Sequence, residues 1–270
     1  MTLERNHPIG VFDSGVGGLT VVRALMERLP FENIIYFGDT ARVPYGVKSI
    51  DTITRYATEI TEFLLKQQVK LLIIACNTIA SVAYETVTAL SPVPVLEVID
   101  AGARQAVKAT KNGHIGVIGT PTTINSNAYA RNIHRHDTSI RVFSQACPLL
   151  VPLVEEGWLD HSVTRMTLQE YLKPVLAEHI DTLVLGCTHY PLLKALIQEV
   201  VGPQIYLVDS AEAMAQMTAE LLVEKDLANP LRTLPCYRFF VSDVPNRFQT
   251  IAERFLGRSL GTVEVIKLPL

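Results

Sequence analysis

Short apolar runs alternate with longer stretches of helical periodicity along almost the whole chain. Residues 9–12, 33–37, 71–75, 114–118, 140–144, 182–185 and 205–208 read as strands, and a further short strand falls within 92–99. The run at 71–75 is apolar at every position, as a parallel strand covered on both faces requires. Between strands, residues 49–67 carry Ile50, Ile53, Tyr56, Ala57, Ile60 and Leu64 at helical spacing. Residues 19–29, 77–90, 101–110, 148–155, 161–179, 191–201 and 210–225 also read as helices, with a kink expected at Pro174 and Pro191 at a helix start. Residues 237–241 and 263–267 read as the last strands, flanking a helix at 245–255. A regular alternation of this kind confines the chain to an α/β fold with mostly parallel sheets.

The rhythm also repeats. Ile9-Gly10-Val11-Phe12 is echoed by Ile115-Gly116-Val117-Ile118, and the run ending in Cys76 by Leu183-Val184-Leu185-Gly186-Cys187, at nearly equal offsets. Two comparable α/β lobes fit a length of 270 residues. Hydrophobic residues make up 48% and charged residues 19%, which excludes disorder and supplies a large core. The net charge of −3 argues against a nucleic-acid binder, so no direct nucleic-acid binding is expected. The longest apolar run spans residues 71–76, far short of the roughly 18 needed to cross a membrane. The first eight residues include Glu4 and Arg5 and no apolar stretch, so no secretory signal is visible. The expectation is a soluble, cytoplasmic protein. Its four cysteines form no C-x-x-C pair, so neither a zinc site nor a structural disulfide is expected, and no metal is implied.

In an open α/β sheet, ligands bind beyond the carboxyl ends of the strands. Four such ends carry notable residues. Asp13-Ser14-Gly15-Val16-Gly17-Gly18 is a glycine-rich strand-to-helix turn that matches neither a P-loop nor a dinucleotide fingerprint. It reads either as a tight turn capped by Asp13 or as a site where Asp13 handles protons or an ammonium group. Gly38-Asp39-Thr40-Ala41-Arg42-Val43-Pro44-Tyr45-Gly46 reads as a polar loop or as a pocket wall with Tyr45 in it. Cys76 and Cys187 each end a strand just before a helix, where the positive helix terminus is expected to lower a thiol pKa. A lone cysteine is usually a small buried hydrophobe, and Cys147 and Cys236 are read that way. Two thiols in repeat-related positions suit a different reading. One takes a proton from one face of a carbon while the other returns a proton to the opposite face, with Asp13 and His189 tuning one thiol each. A cysteine–histidine hydrolase would use Cys187 and His189 but leave Cys76 idle. A two-lobed small-molecule-binding module without catalysis would need neither thiol.

Together these segments resemble the glutamate racemase family, within the aspartate/glutamate racemase superfamily. The likeness includes the turns after Asp13, Gly38, Ala75 and Gly186, residues 148–157, and Val208-Asp209-Ser210-Ala211, in family order from about residue 8 to at least 220. It implies two pseudosymmetric α/β lobes with the active site in the cleft between them, one built from 1–97 with 210–270 and the other from 98–209. It implies cofactor-independent interconversion of L- and D-glutamate for peptidoglycan synthesis. By the family pattern, Cys76 takes the α-proton of the D-isomer and Cys187 that of the L-isomer. Asp13, His189 and Glu155 match supporting acid/base residues. Asp13, Ser14, Tyr45, Gly46, Asn77, Thr78, Thr188 and His189 match substrate-holding positions, to which Thr120 and Thr123 add. One departure stands at Thr122, where the pattern has glycine. The substrate is then a small molecule, glutamate, with room for a homodimer and no membrane partner. An aspartate racemase, or a two-cysteine isomerase or decarboxylase of small diacids, is the alternative within the superfamily.

Overall fold

A computed structural model describes residues 4–244 and 248–268. The extreme amino terminus and the first three positions of the helix expected at 245–255 lie outside the described residues. The chain runs β1 (Ile9–Asp13), α1 (Leu19–Arg28), β2 (Ile34–Gly38), α2 (Ile50–Lys66), β3 (Leu71–Ile74), α3 (Asn77–Leu90), β4 (Val95–Glu97) and α4 (Val98–Ala109). It continues with β5 (His114–Gly119), α5 (Pro121–Asn125), α6 (Ala128–His136), β6 (Arg141–Ala146), α7 (Leu150–Glu155), α8 (Ser162–Leu176), β7 (Thr182–Gly186), α9 (Lys194–Val201) and β8 (Tyr206–Asp209). It closes with α10 (Ser210–Glu224), β9 (Tyr237–Val241), α11 (Phe248–Leu256) and β10 (Val263–Val265).

The strands form two sheets, ordered β10-β9-β2-β1-β3-β4 and β6-β5-β7-β8, and every pairing is parallel. Within them the order β2-β1-β3-β4 is reproduced as β6-β5-β7-β8. The echoed segments are therefore equivalent strands: β1 corresponds to β5, and β3 to β7. β1, β3 and β7 are buried at every position, which is why their sequences lack the polar alternation of a half-exposed strand. Helix α2 shows how the covering layer is specified. Ser49 caps it by accepting from Thr52 N, and Ile53, Ala57, Ile60, Thr61 and Leu64 form the buried stripe.

The chain passes between the sheets twice, through α4 and through α10, and these two helices pack on each other. Each begins directly after a strand-ending acid that caps it. Glu97 accepts from Ile99 N and Asp100 N, and Asp209 accepts from Ala211 N. Burial raises the Glu97 carboxyl to about 8 against the pull of those N–H groups, and it raises Asp209 as well.

Several boundaries differ from the sequence expectation. The Glu97 cap starts α4 at Val98, three residues before the position read from periodicity. Helices α5 and α6 occupy the stretch between the strands at 114–118 and 140–144, where the periodicity marks no element. Pro174 lies in the last turn of α8, where the helix continues to Leu176 without interruption. Pro191 opens a 3-10 turn, Tyr190–Leu193, and the α-helix starts only at Lys194. Cys147 is buried as expected, but Cys236 is exposed, so it is not a core hydrophobe. It immediately precedes β9, where its N–H is taken by Asn33. Among the described residues no helix is long and apolar enough to cross a membrane.

Candidate active site

The turns leaving the two sheets at their carboxyl ends meet each other. Thr20 Oγ1 donates to the Thr188 carbonyl at 3.2 Å, and Thr122 Oγ1 to the Gly46 carbonyl at 2.8 Å. The Tyr129 hydroxyl donates to Asn77 Oδ1 at 2.7 Å. The hydroxyls of Thr78 and Thr120 are 3.0 Å apart, and Thr120 is 2.9 Å from Thr123. The approach is closest at Gly17. A Cβ there would overlap Thr188 Oγ1 and stand 2.6 Å from His189 Nδ1. Only a hydrogen fits, which accounts for one of the three glycines in that turn.

Cys76 is the N-cap residue of α3 and is 5% exposed. Its thiol donates to Ser14 Oγ at 3.4 Å. Asp13, at the end of β1, accepts from Gly15 N at 3.0 Å through Oδ2. The helix terminus was expected to lower this thiol's pKa, and here the structure corrects the reading. Burial, reinforced by the Asp13 charge, pushes Cys76 up to about 12 despite hydrogen bonds that favour the thiolate. Desolvation outweighs the helix field when the sulfur sits below the surface with a carboxylate beside it. Cys147 is likewise pushed up to about 12 by burial, in keeping with an inert thiol.

The second thiol has a different set of partners. Cys187 Sγ lies 3.9 Å from His189 Nδ1, and His189 Nε2 lies 2.9 Å from Glu155 Oε1. The Phe255 ring meets the imidazole edge-on, with centroids 4.9 Å apart. Arg254 reaches across from α11 to donate to the carbonyls of Val154 and Glu155 at the end of α7. Burial of His189 disfavours its charge, but the hydrogen bonds to Cys187 and Glu155 prevail and raise it to about 10. The imidazolium is thus a standing positive charge beside the Cys187 sulfur. Its folded-state value exceeds the ordinary value of about 6.5. The stabilisation from this cluster is therefore complete below that pH, declines above it, and is lost beyond about 10. Glu155→Gln is expected to lower the His189 titration, since it removes one of the two hydrogen-bonded partners that raise it, and imidazole NMR across the alkaline range checks this.

The structure brings together Asp13, Ser14 and Cys76; Asn77 and Thr78 with Thr120 and Thr123; and Glu155, Cys187 and His189, with Thr188 against the Gly17 turn. Gly46 lies against Thr120, where an added Cβ would be 3.1 Å from the threonine Cβ. The Tyr45 side chain is the exception. It is buried, packs on Tyr56, and hydrogen-bonds Asp39 through its hydroxyl. Thr122 lies within α5, so a residue with a side chain fits the place of the family's glycine, and its hydroxyl bridges to Gly46. Tyr129, Thr20, Arg254 and Phe255 were not anticipated. The helical pairing of Tyr129 with Ile133 was the one available signal for α6. Among the described residues, three buried side-chain atoms have no hydrogen-bond partner, and Asp13 Oδ1 and Asn77 Nδ2 are the two at these strand ends.

The sequence profile of the Asp/Glu/Hydantoin racemases matches residues 9–218. The chain is 76% identical over 262 residues to a glutamate racemase of Syntrophus aciditrophicus, covering 97% of each chain. Among solved structures, a glutamate racemase from Francisella tularensis in complex with D-glutamate superposes with a TM-score of 0.91 at 43% identity, covering 97% of this chain and 98% of that one. A glutamate racemase isoform from Bacillus anthracis superposes with a TM-score of 0.95 at 40% identity, covering 99% and 100%. With equivalent thiols ending β3 and β7 and this likeness running the length of both sheets, the chain belongs to the glutamate racemases, isomerases of the Asp/Glu/Hydantoin racemase family.

Proposed function

We propose that the protein interconverts L- and D-glutamate without a cofactor, using Cys76 and Cys187 on opposite faces of the α-carbon. The observation that carries this reading is the placement of one thiol after the third strand of each repeated unit, with a different partner set on each side. Cys187 as thiolate, balanced by the His189 imidazolium, takes the α-proton of the L-isomer. The electron pair left on the α-carbon delocalises into the adjacent carboxylate. Cys76, held as a neutral thiol, delivers its proton to the other face, and the D-isomer leaves. In the reverse direction Asp13 accepts the Cys76 proton, and the thiolate so formed abstracts from the D-isomer. Asp13 Oδ1 is a buried acceptor suited to the substrate ammonium, and the adjoining positive charge favours the Cys76 thiolate. Asn77 Nδ2 and the N–H groups of Asn77 and Thr78 at the start of α3 suit a carboxylate, that of Ile79 being directed at the Cys76 sulfur. Ser14, Gly46, Thr78 and Thr188 complete the substrate shell, with Tyr45 contributing through its backbone. Fixed dipoles in a closed, water-poor cleft stabilise the carbanion-like transition state.

The same reading assigns residues 1–97 with 210–270 to one lobe and 98–209 to the other, consistent with the strands each sheet holds. It places the enzyme in the cytoplasm, supplying D-glutamate for peptidoglycan synthesis, and leaves room for a homodimer. The test is incubation with L-glutamate in D2O without added cofactor. Optical rotation should decay to zero as deuterium enters at the α-carbon. Exchange of aspartate instead would favour the aspartate-racemase reading, and exchange of neither would favour a binding module.

A further inference from the structure

Asn77 is 2% exposed, and its two amide ends differ in occupation. Oδ1 accepts from the Tyr129 hydroxyl at 2.7 Å, whereas Nδ2 is buried with no partner among the described residues. A primary amide can be turned end for end with little change in shape, so a neighbour must decide which end faces the cleft. Tyr129 makes that choice. Its O–H needs an acceptor, and among the described residues Asn77 is its one hydrogen-bond partner. Turning the amide would put N–H groups against the hydroxyl and leave the tyrosine proton buried without an acceptor.

The tyrosine itself is closely fitted. It is 2% exposed in the first turn of α6. A Cβ on Gly102 would stand 3.2 Å from the ring and the hydroxyl, and one on Gly186 would stand 3.0 Å from the opposite edge. The ring therefore lies between α4 and the end of β7, beside the turn carrying Cys187, while its hydroxyl reaches over to α3, which follows Cys76. Tyr129 and Asn77 thus stand on helices that connect strands of different sheets.

We propose that Tyr129 is a positioning residue that, reaching across from the other half of the molecule, turns the Asn77 amide so its NH2 faces a substrate carboxylate. The free donor is an energetic liability without ligand and a hydrogen bond with one. The orientation that binds glutamate is thus completed by the opposite half of the molecule. This proposal rests on the glutamate reaction given above.

The test compares wild type, Tyr129→Phe, Asn77→Ala and the double variant. D-glutamate binding is read by calorimetry and turnover as kcat and KM from each enantiomer. Tyr129→Phe should weaken binding and raise KM by about tenfold, with kcat changed less than about threefold. In the Asn77→Ala background the same change should cost nothing further, because a residue acting through Asn77 has nothing left to orient. A purely structural role would lower the thermal midpoint and the active fraction without moving KM. Unchanged KM and binding in Tyr129→Phe, or an effect that adds in full to Asn77→Ala, would overturn the proposal. If the wild type binds glutamate but exchanges no α-proton, the reaction assignment fails, while the binding arm still decides the role of Tyr129.

Discussion

Cys76→Ala and Cys187→Ala are each expected to slow racemisation by at least about 1,000-fold, the upper part of the range for removing an essential acid or base. The double variant should be little worse than either single one, since a two-base reaction stops when either base is missing. The informative residue of activity is isotopic. On the proposed assignment, with Cys187 removed, Cys76 still faces the α-proton of the D-isomer and can return a solvent deuteron to the same face. D-glutamate should then exchange without inverting, and L-glutamate should not. Cys76→Ala should show the opposite preference. The two rates should also differ in pH dependence, because Cys187 works beside an imidazolium raised to about 10, whereas Cys76 is itself held up at about 12 by burial and by Asp13. Equal exchange of both enantiomers by either variant would rule out the assignment of one face to each sulfur.

Gly17→Ala is expected to have the next largest effect, although residue 17 has no functional group. The added methyl would overlap Thr188 Oγ1 and come within 2.6 Å of His189 Nδ1. The first belongs to the proposed substrate shell and the second holds Cys187. The imidazole cannot retreat freely, since it is tied to Glu155, and the Thr188 side chain would have to turn away while its carbonyl is held by Thr20. The halves must therefore stand apart by a fraction of an ångström to about one ångström. A misplacement of that size costs on the order of 100-fold in a reaction that depends on near-contact geometry. Steady-state kinetics and thermal unfolding together should show kcat/KM down by about that factor and a nearly unchanged melting temperature. A collapse in stability with normal kinetics of the surviving fraction would show that the glycine serves folding.

Much of this arrangement was legible in the residues because the elements that carry it are periodic. The buried strands β3 and β7 have no polar side to disguise them, so their ends, and with them Cys76 and Cys187, could be placed from the sequence. The equivalence of β1 with β5 could be read from four echoed residues, since a parallel strand in a repeated position faces the same demands. What escaped notice has a physical cause in each case. Helix α5 has only five residues and starts with Pro after a threonine cap, a composition shared with turns. Helix α6 buries only Ala128, Tyr129 and Ile133, too few for a periodic signal. The raised value at Cys76 depends on the depth of the sulfur and on a carboxylate 63 positions earlier, neither of which adjacency to a helix reveals. The Tyr45 hydroxyl went to Asp39 because both sit on one loop whose folding the sequence does not specify. Arg254 and Phe255 reach the site from the carboxyl-terminal part of the chain, which joins the first sheet only in three dimensions.

The double passage of the chain through α4 and α10 has a mechanical consequence. A body tethered to another at a single point can swivel in any direction, whereas one pinned at two points can turn only about the line that joins them. Here the pins are two helices packed side by side, each starting at an acid-capped strand end. Two connections packed side by side resist twisting and sliding of one half past the other more than a single connection would, and so favour one mutual placement of Cys76 and Cys187.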